Sequence, residues 1–150
     1  MFKKLAHGFT LVELLISAAI LTFVLCGILI TYSSCITLVK TSKNINSATN
    51  AAQAKIEEIR AYSFDDIVAD YNSETYAVDD IPGSVLVIYA DDANTELLKV
   101  TISVCWRQGN RVIGEDIDLD GVLDAGEDAN GNGIIDSAVT LVTLITRPTA

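Results

Sequence analysis

Residues 9–61 read FTLVELLISAAILTFVLCGILITYSSCITLVKTSKNINSATNAAQAKIEEIRA, with no proline and a single glycine, Gly27. Residues 14–30, LLISAAILTFVLCGILI, carry no charge, and Glu13 is the one charged residue from Phe9 to Val39. Such a run crosses a hydrocarbon layer of about 30 Å as a helix. From Ile45 the pattern changes. Ile45, Ala48, Ala52, Ile56 and Ile59 recur at steps of three and four, opposed by Lys43, Asn46, Asn50, Gln53 and Glu57. That is one apolar stripe on a helix of 3.6-residue period. The two halves join into one helix over 9–61, roughly 80 Å long at 1.5 Å per residue. Its amphipathic second half needs a surface to pack on.

The remainder supplies that surface. A polar connection over 62–83 leads to three strand-like segments, 85–90, 97–106 and 139–146. Turn-like breaks fall at Asp91-Asp92-Ala93-Asn94 and Arg107-Gln108-Gly109-Asn110, and Val112-Ile113 begins a short return strand. In the middle segment Leu98, Val100, Ile102, Val104 and Trp106 alternate with Lys99, Thr101, Ser103, Cys105 and Arg107. This alternation predicts a strand buried on one face, with Trp106 in the core. Tyr62 and Phe64 are expected to anchor the connection. The fold class is therefore α+β: a long N-terminal helix, membrane-spanning in its first half, packed by its second half against a small antiparallel β-sheet.

A length of 150 residues supports one modest domain. Ten Lys and Arg against twenty Asp and Glu, a net charge of −10, exclude a basic stripe for nucleic acid. The one histidine is His7, which leaves no partner for a Ser-His-Asp triad or a histidine metal site, and no enzymatic role is expected. Cys26, Cys35 and Cys105 form no C-x-x-C pair and no zinc spacing. A Cys35–Cys105 disulfide is disfavoured because Cys35 should lie near the membrane boundary, well away from the sheet. Lys3 and Lys4 ahead of the apolar run orient the span N-in, C-out.

With that basic pair before it, Gly8-Phe9-Thr10-Leu11-Val12-Glu13 running into an apolar helix resembles the prepilin signature of type IV pilins and type II secretion pseudopilins. Ala54-Lys55-Ile56-Glu57-Glu58-Ile59-Arg60 and Val104-Cys105-Trp106 resemble, less specifically, the minor members. The resemblance implies that residues 1–8 are a leader, cut between Gly8 and Phe9 by an inner-membrane prepilin peptidase, with N-methylation of Phe9. It further implies that Glu13 pairs with the new amino terminus of a neighbouring pilin or pseudopilin subunit, the partner reached through the N-terminal helix. The chain would be an inner-membrane single-pass protein before assembly and part of a periplasmic or cell-surface filament afterwards. Physics supports the pairing, because an acid within an apolar run costs a few kcal/mol unless it finds a partner. Once Lys3 and Lys4 are removed, the nearest cation is the Phe9 amine. The family's frequent helix proline is missing here, which leaves Gly27 as the one weak point. The alternative is a monomeric single-pass membrane-anchored calcium-binding module.

The head expected over 62–150 contains a loop, 114–136, with eight of the twenty acids and no Lys or Arg. Asp116-Ile-Asp118-Leu-Asp120-Gly121-Val122-Leu-Asp124-Ala-Gly-Glu127 matches the D-x-[DN]-x-[DN]-G-x5-E calcium loop at every specified position. In that arrangement alternate acids converge on one ion and Gly121 makes the sharp turn. The Val122 carbonyl adds an oxygen, Asp124 acts through water and Glu127 closes the shell. A partial copy follows, Asp128-Ala-Asn130-Gly-Asn132-Gly133-Ile-Ile-Asp136, with Val139 where the closing glutamate should fall. A second ion would need Asp136 or a carboxylate borrowed from the first loop. Neither loop has obvious flanking helices, so the likeness is to dockerin or thrombospondin-type calcium repeats. The expected cofactor is structural Ca2+, and Leu123 is expected to tuck behind the loop. A solvated acidic turn is the competing reading, but it leaves the alternation with Ile117 and Leu119 unexplained.

Overall fold

Thr10 caps the first helix, α1 (Leu11–Arg60): the Glu13 amide donates to Thr10 Oγ1 at 3.2 Å. The structure is a computed structural model and describes residues 10–148, so Gly8, Phe9 and the leader lie outside the described residues. The chain divides into two compact units, residues 1–40 and 41–150.

In the first unit the described chain is helix alone, and every residue over 11–40 is exposed. Its hydroxyls are satisfied within the helix. Ser17 Oγ donates to the Glu13 carbonyl, Thr22 Oγ1 to Ala18, Thr31 Oγ1 to Gly27 and Ser34 Oγ to Ile30, at 2.8–3.1 Å. Such back-bonding hides polar groups from an apolar surrounding, and the helix passes Gly27 without a break. This is a helix long and apolar enough to cross a membrane.

In the second unit α1 buries Ala48, Ala52, Ile56 and Ile59. Ile45, expected on the same stripe, is 37% exposed, so the packed stripe begins one turn later. The sheet is antiparallel and its core is the hairpin of β2 (Ser84–Asn94) and β3 (Leu97–Gln108), which pairs Leu86 with Val104 and Ile88 with Ile102. β1 (Thr75–Tyr76) lies along the outer side of β2. The other side of β3 is shared by β4 (Arg111–Ile113), opposite Trp106–Gln108, and β5 (Val139–Thr146), opposite 97–104. The long helix packed on a small antiparallel sheet is the α+β fold expected from the sequence. Leu86, Ile88, Val100, Ile102, Val104 and the fully buried Trp106 meet the helix stripe in one core.

Three local features differ from the sequence reading. The segment 62–83 is not merely a connection: it holds α2 (Ile67–Tyr71) and β1, with Ile67 and Tyr71 in the core. Tyr62 stacks edge-on against Tyr71 with ring centres 5.2 Å apart, and Arg147 lies over the Phe64 ring while pairing with Asp65 at 2.7 Å. The segment 91–94 is strand rather than turn, paired with β3 through Asp91–Lys99 and Asn94–Leu97 around an irregularity in register where the Asp91 and Asn94 side chains accept the Ala93 and Glu96 amides. Most consequentially, β3 is buried on both faces: Thr101, Ser103 and Cys105 are as enclosed as their apolar neighbours. Alternation described side-chain polarity correctly but could not reveal that something covers the polar face. All three cysteines are free.

Candidate metal centre and N-terminal motif

What covers that face is the acidic loop. Val85, Val87, Cys105 and Ile135 form a second small core, joined by Tyr89, Leu119 and Leu123. Leu123 packs behind the loop as expected, and Leu119 is held at φ +67, a conformation that leucine seldom adopts. Its side chain is partly buried against this core. The Ile135 amide donates to Tyr89 Oη at 3.1 Å, and Ser137 Oγ donates to the Val104 carbonyl, so loop and sheet are bonded as well as packed.

In the first loop the carboxylates of Asp116, Asp118 and Asp120 lie within 4.8 Å of one another. Asp116 is fully buried, and its two oxygens accept the Leu119 and Gly121 amides at 2.6 and 2.9 Å. Burial, and then the Glu127 charge, push its pKa upward against those bonds. Asp120 Oδ1 accepts the Val122 amide at 2.7 Å. Glu127 accepts the Ile117 amide on Oε1 at 2.7 Å and the Asp124 amide on Oε2 at 3.0 Å, and these bonds lower its pKa. Glu127 and Asp124 are not among the three clustered carboxylates. No acid over 114–136 makes an ion pair among the described residues. Carboxylates this close repel by roughly 1–4 kcal/mol per pair between aqueous and protein-surface dielectric. A hard cation with oxygen ligands fits such a donor set, and sulfur-preferring metals do not.

The second loop repeats the backbone pattern. Asp128 accepts the Gly131, Asn132 and Gly133 amides at 2.6–3.1 Å, which hold its carboxyl below the usual range. Asn132 Oδ1 accepts the Ile134 amide, as Asp120 does for Val122. Asn130 and Asn132 both donate side-chain N–H to Asp136 Oδ2, at 2.7 and 2.8 Å. The carboxylate that enters the second loop is Glu115, a residue the motif spacing did not single out, and it does so as a hydrogen-bond acceptor. Glu115 accepts the Ala129 amide at 3.3 Å and the Asp136 amide at 3.0 Å. The signal was available as a glutamate directly before each first aspartate, Glu115-Asp116 and Glu127-Asp128. Val139, in the closing position by count, is buried in β5 instead.

At the other end, Glu13 is exposed on the first turn of α1 and makes no ion pair among the described residues. Gly8 and Phe9 cannot be placed beside it, since they lie outside those residues. The Thr10 cap was also readable as the Thr-x-x-Glu signature. Residues 3–29 match the prokaryotic N-terminal methylation motif. No curated protein and no solved structure gives a significant match. The chain is thus prepilin-like in its N-terminal segment, and the motif implies processing by a prepilin peptidase and assembly with other pilins.

Proposed function

We propose that this chain is a structural subunit, of the minor class, of a type IV pilus or type II secretion pseudopilus, with a calcium-stabilised head. The observation that carries this reading is the methylation motif over residues 3–29 running into a helix whose apolar residues are exposed throughout 11–40. So much exposed hydrocarbon needs lipid, and then neighbouring subunits, to cover it. Prepilin peptidase cuts between Gly8 and Phe9, Phe9 is methylated, and Glu13 pairs with the amino terminus of an adjacent subunit. The protein performs no catalysis; its work is assembly.

Co-expression with a prepilin peptidase tests the reading directly, by mass spectrometry of the product. A shortened chain beginning at methylated Phe9 is expected. A full-length product, under conditions that process a control prepilin, would reduce the protein to a monomeric membrane-anchored module. Glu13→Ala should insert into the membrane yet fail to enter filaments, as scored by filament shearing and immunoblot; normal incorporation would remove the pairing role.

Calcium in the first loop would be held by Asp116, Asp118, Asp120, the Val122 carbonyl, Asp124 and Glu127. The second site would use Asp128, Asn130, Asn132 and Asp136. The ion's contribution is charge neutralisation that lets the carboxylates stay together. Extracellular loops of this type bind at about 10⁻⁴ to 10⁻³ M. At about 10 mM calcium the head should therefore gain roughly 1.4–2.7 kcal/mol per site, read as a rise in melting temperature. Asp116→Asn and Glu127→Gln should each abolish that gain at the first site. Calorimetry showing no heat up to that concentration would make the loop a plain acidic surface.

A further inference from the structure

The two loops are one unit written twice. Glu115-Asp116-Ile117-Asp118-Leu119-Asp120-Gly121-Val122-Leu123-Asp124 returns twelve residues later as Glu127-Asp128-Ala129-Asn130-Gly131-Asn132-Gly133-Ile134-Ile135-Asp136. Acids or their amides recur at the same places, and so do the turn glycine and the paired aliphatics. Leu123 and Ile135 are equivalent positions, and both pack in the small core behind the loops.

The glutamates are crossed. Glu127, at the head of the second unit, accepts the Ile117 and Asp124 amides of the first. Glu115, at the head of the first unit, accepts the Ala129 and Asp136 amides, which are the corresponding two positions of the second. The Glu115 amide also donates to the Asp136 carbonyl at 2.8 Å. Each glutamate therefore begins one loop and closes the other.

We infer that this reciprocal exchange makes the two loops a single cooperative folding unit, in which neither stays closed while the other opens. Opening the second loop releases Glu115, the residue next to the buried Asp116, and so loosens the backbone on which Asp116 depends for its amide bonds. Opening the first loop releases Glu127, next to Asp128, with the mirrored consequence. Bonds from amides to a carboxylate are stronger than neutral ones, and a buried carboxylate stripped of its donors is costly, so a half-open pair is the unfavourable state. The interlock is made of the chain's own groups. Its ligand consequence, one coupled uptake of two ions, rests on the calcium reading above.

Residue-resolved hydrogen–deuterium exchange of the full chain in detergent micelles with EDTA tests the interlock without metal. Glu115→Gln should speed exchange at Ala129 and Asp136 by about ten- to a hundredfold, the effect of weakening charge-assisted bonds. It should speed Ile117 and Asp124 by a similar factor, while Val100 and Ile102 in β3 stay protected. Glu127→Gln should give the same four-residue pattern. Faster exchange confined to the loop that the altered glutamate closes, or no change at all, overturns the proposal. If a variant also loosens β3, the wild-type chain decides under rising guanidinium chloride. Loop amides merging onto one opening isotherm support the interlock, and two separate isotherms overturn it. Repeating the wild-type run with calcium separates the two ideas: protection indifferent to calcium sinks the calcium reading and leaves the interlock standing.

Discussion

The two faces of the sheet are built by different chemistry. The helix face meets α1 through Leu86, Ile88, Val100, Ile102, Val104 and Trp106, against Ala48, Ala52, Ile56 and Ile59. The loop face carries Val85, Val87 and Cys105 under Ile135, with the Ser103 and Thr140 hydroxyls bonded at 3.0 Å. On the first face, hydrocarbon removed from water does the stabilising, and small alanines let the helix come close. On the second, a thin apolar layer is roofed by carboxylates that occupy themselves with backbone amides. The first face is held by apolar contact alone; the second concentrates like charge, with Asp116, Asp118 and Asp120 forming a donor set that could hold a cation. The difference explains how one 110-residue unit, 41–150, accommodates both an apolar core and an acidic loop. Each is segregated to its own side.

The widest gap between the faces should come from Trp106→Ala. Removing this fully buried ring costs about 3–5 kcal/mol by transfer and cavity terms. Circular dichroism melts should show the head destabilised by that much, and added calcium should not restore it. Full rescue by calcium would mean that the two faces share one source of stability, and the comparison would collapse.

A smaller effect divides the loop face within itself. Gly121 and Gly133 hold the same position in their loops, at φ +84 and +77, yet their surroundings differ. A Cβ at Gly121 would overlap the Thr75 side chain and sit 3.2 Å from Val85 Cγ2, whereas one at Gly133 meets nothing within 4 Å. Gly133→Ala therefore pays only for the left-handed backbone, about 1–2 kcal/mol. Gly121→Ala adds overpacking against the sheet, for about 2–5 kcal/mol in all. Denaturant titrations of the two variants compare them directly. Equal costs would show that the first loop is not pressed on the sheet as Thr75 and Val85 indicate.

The helix face was legible in the sequence because hydrophobic periodicity reports it: the stripe from Ala48 to Ile59 and the alternation from Leu98 to Trp106 each name their own inward side. The ends of β5 were equally plain, since Val139 to Thr146 is a bounded run of β-branched and leucine residues. The loop face was only half legible. Motif spacing marked Asp116, Asp118 and Asp120, which the fold brings together. It did not mark Glu115, because a consensus that counts forward from each first aspartate looks for the closing acid downstream. Nor did it reveal that Ser103 and Cys105 are enclosed, since burial under a distant loop leaves no local period. α2 and β1 are short, five and two residues, and their stability comes from tertiary contacts of Ile67, Tyr71 and Tyr76 rather than from propensity.

The smallest difference should appear in alkali, where each face presents one shielded tyrosine. Tyr71, on the helix face, has its pKa pushed up to about 12 by burial and by its bond to Glu58, whose carboxylate accepts the hydroxyl at 3.0 Å. Tyr89, on the loop face, is raised by burial too, but there the Ile135 amide donates to the hydroxyl oxygen and favours the ionised form. Below the ordinary value of 10.0 the Tyr71 hydroxyl is protonated in both folded and unfolded chains and gives no pH dependence. Between there and about 12 the unfolded chain releases the proton while the folded chain keeps it, so stability falls as pH rises. Tyr71→Phe should lose about 0.5–1.5 kcal/mol near neutrality with the Glu58 bond, yet flatten the decline across this alkaline window. Tyr89→Phe should flatten it less, because an amide aimed at the oxygen already eases ionisation. Urea unfolding at stepped pH reads both slopes. A larger flattening from Tyr89→Phe would place the more strongly perturbed phenol on the loop face, and with it the tighter exclusion of charge.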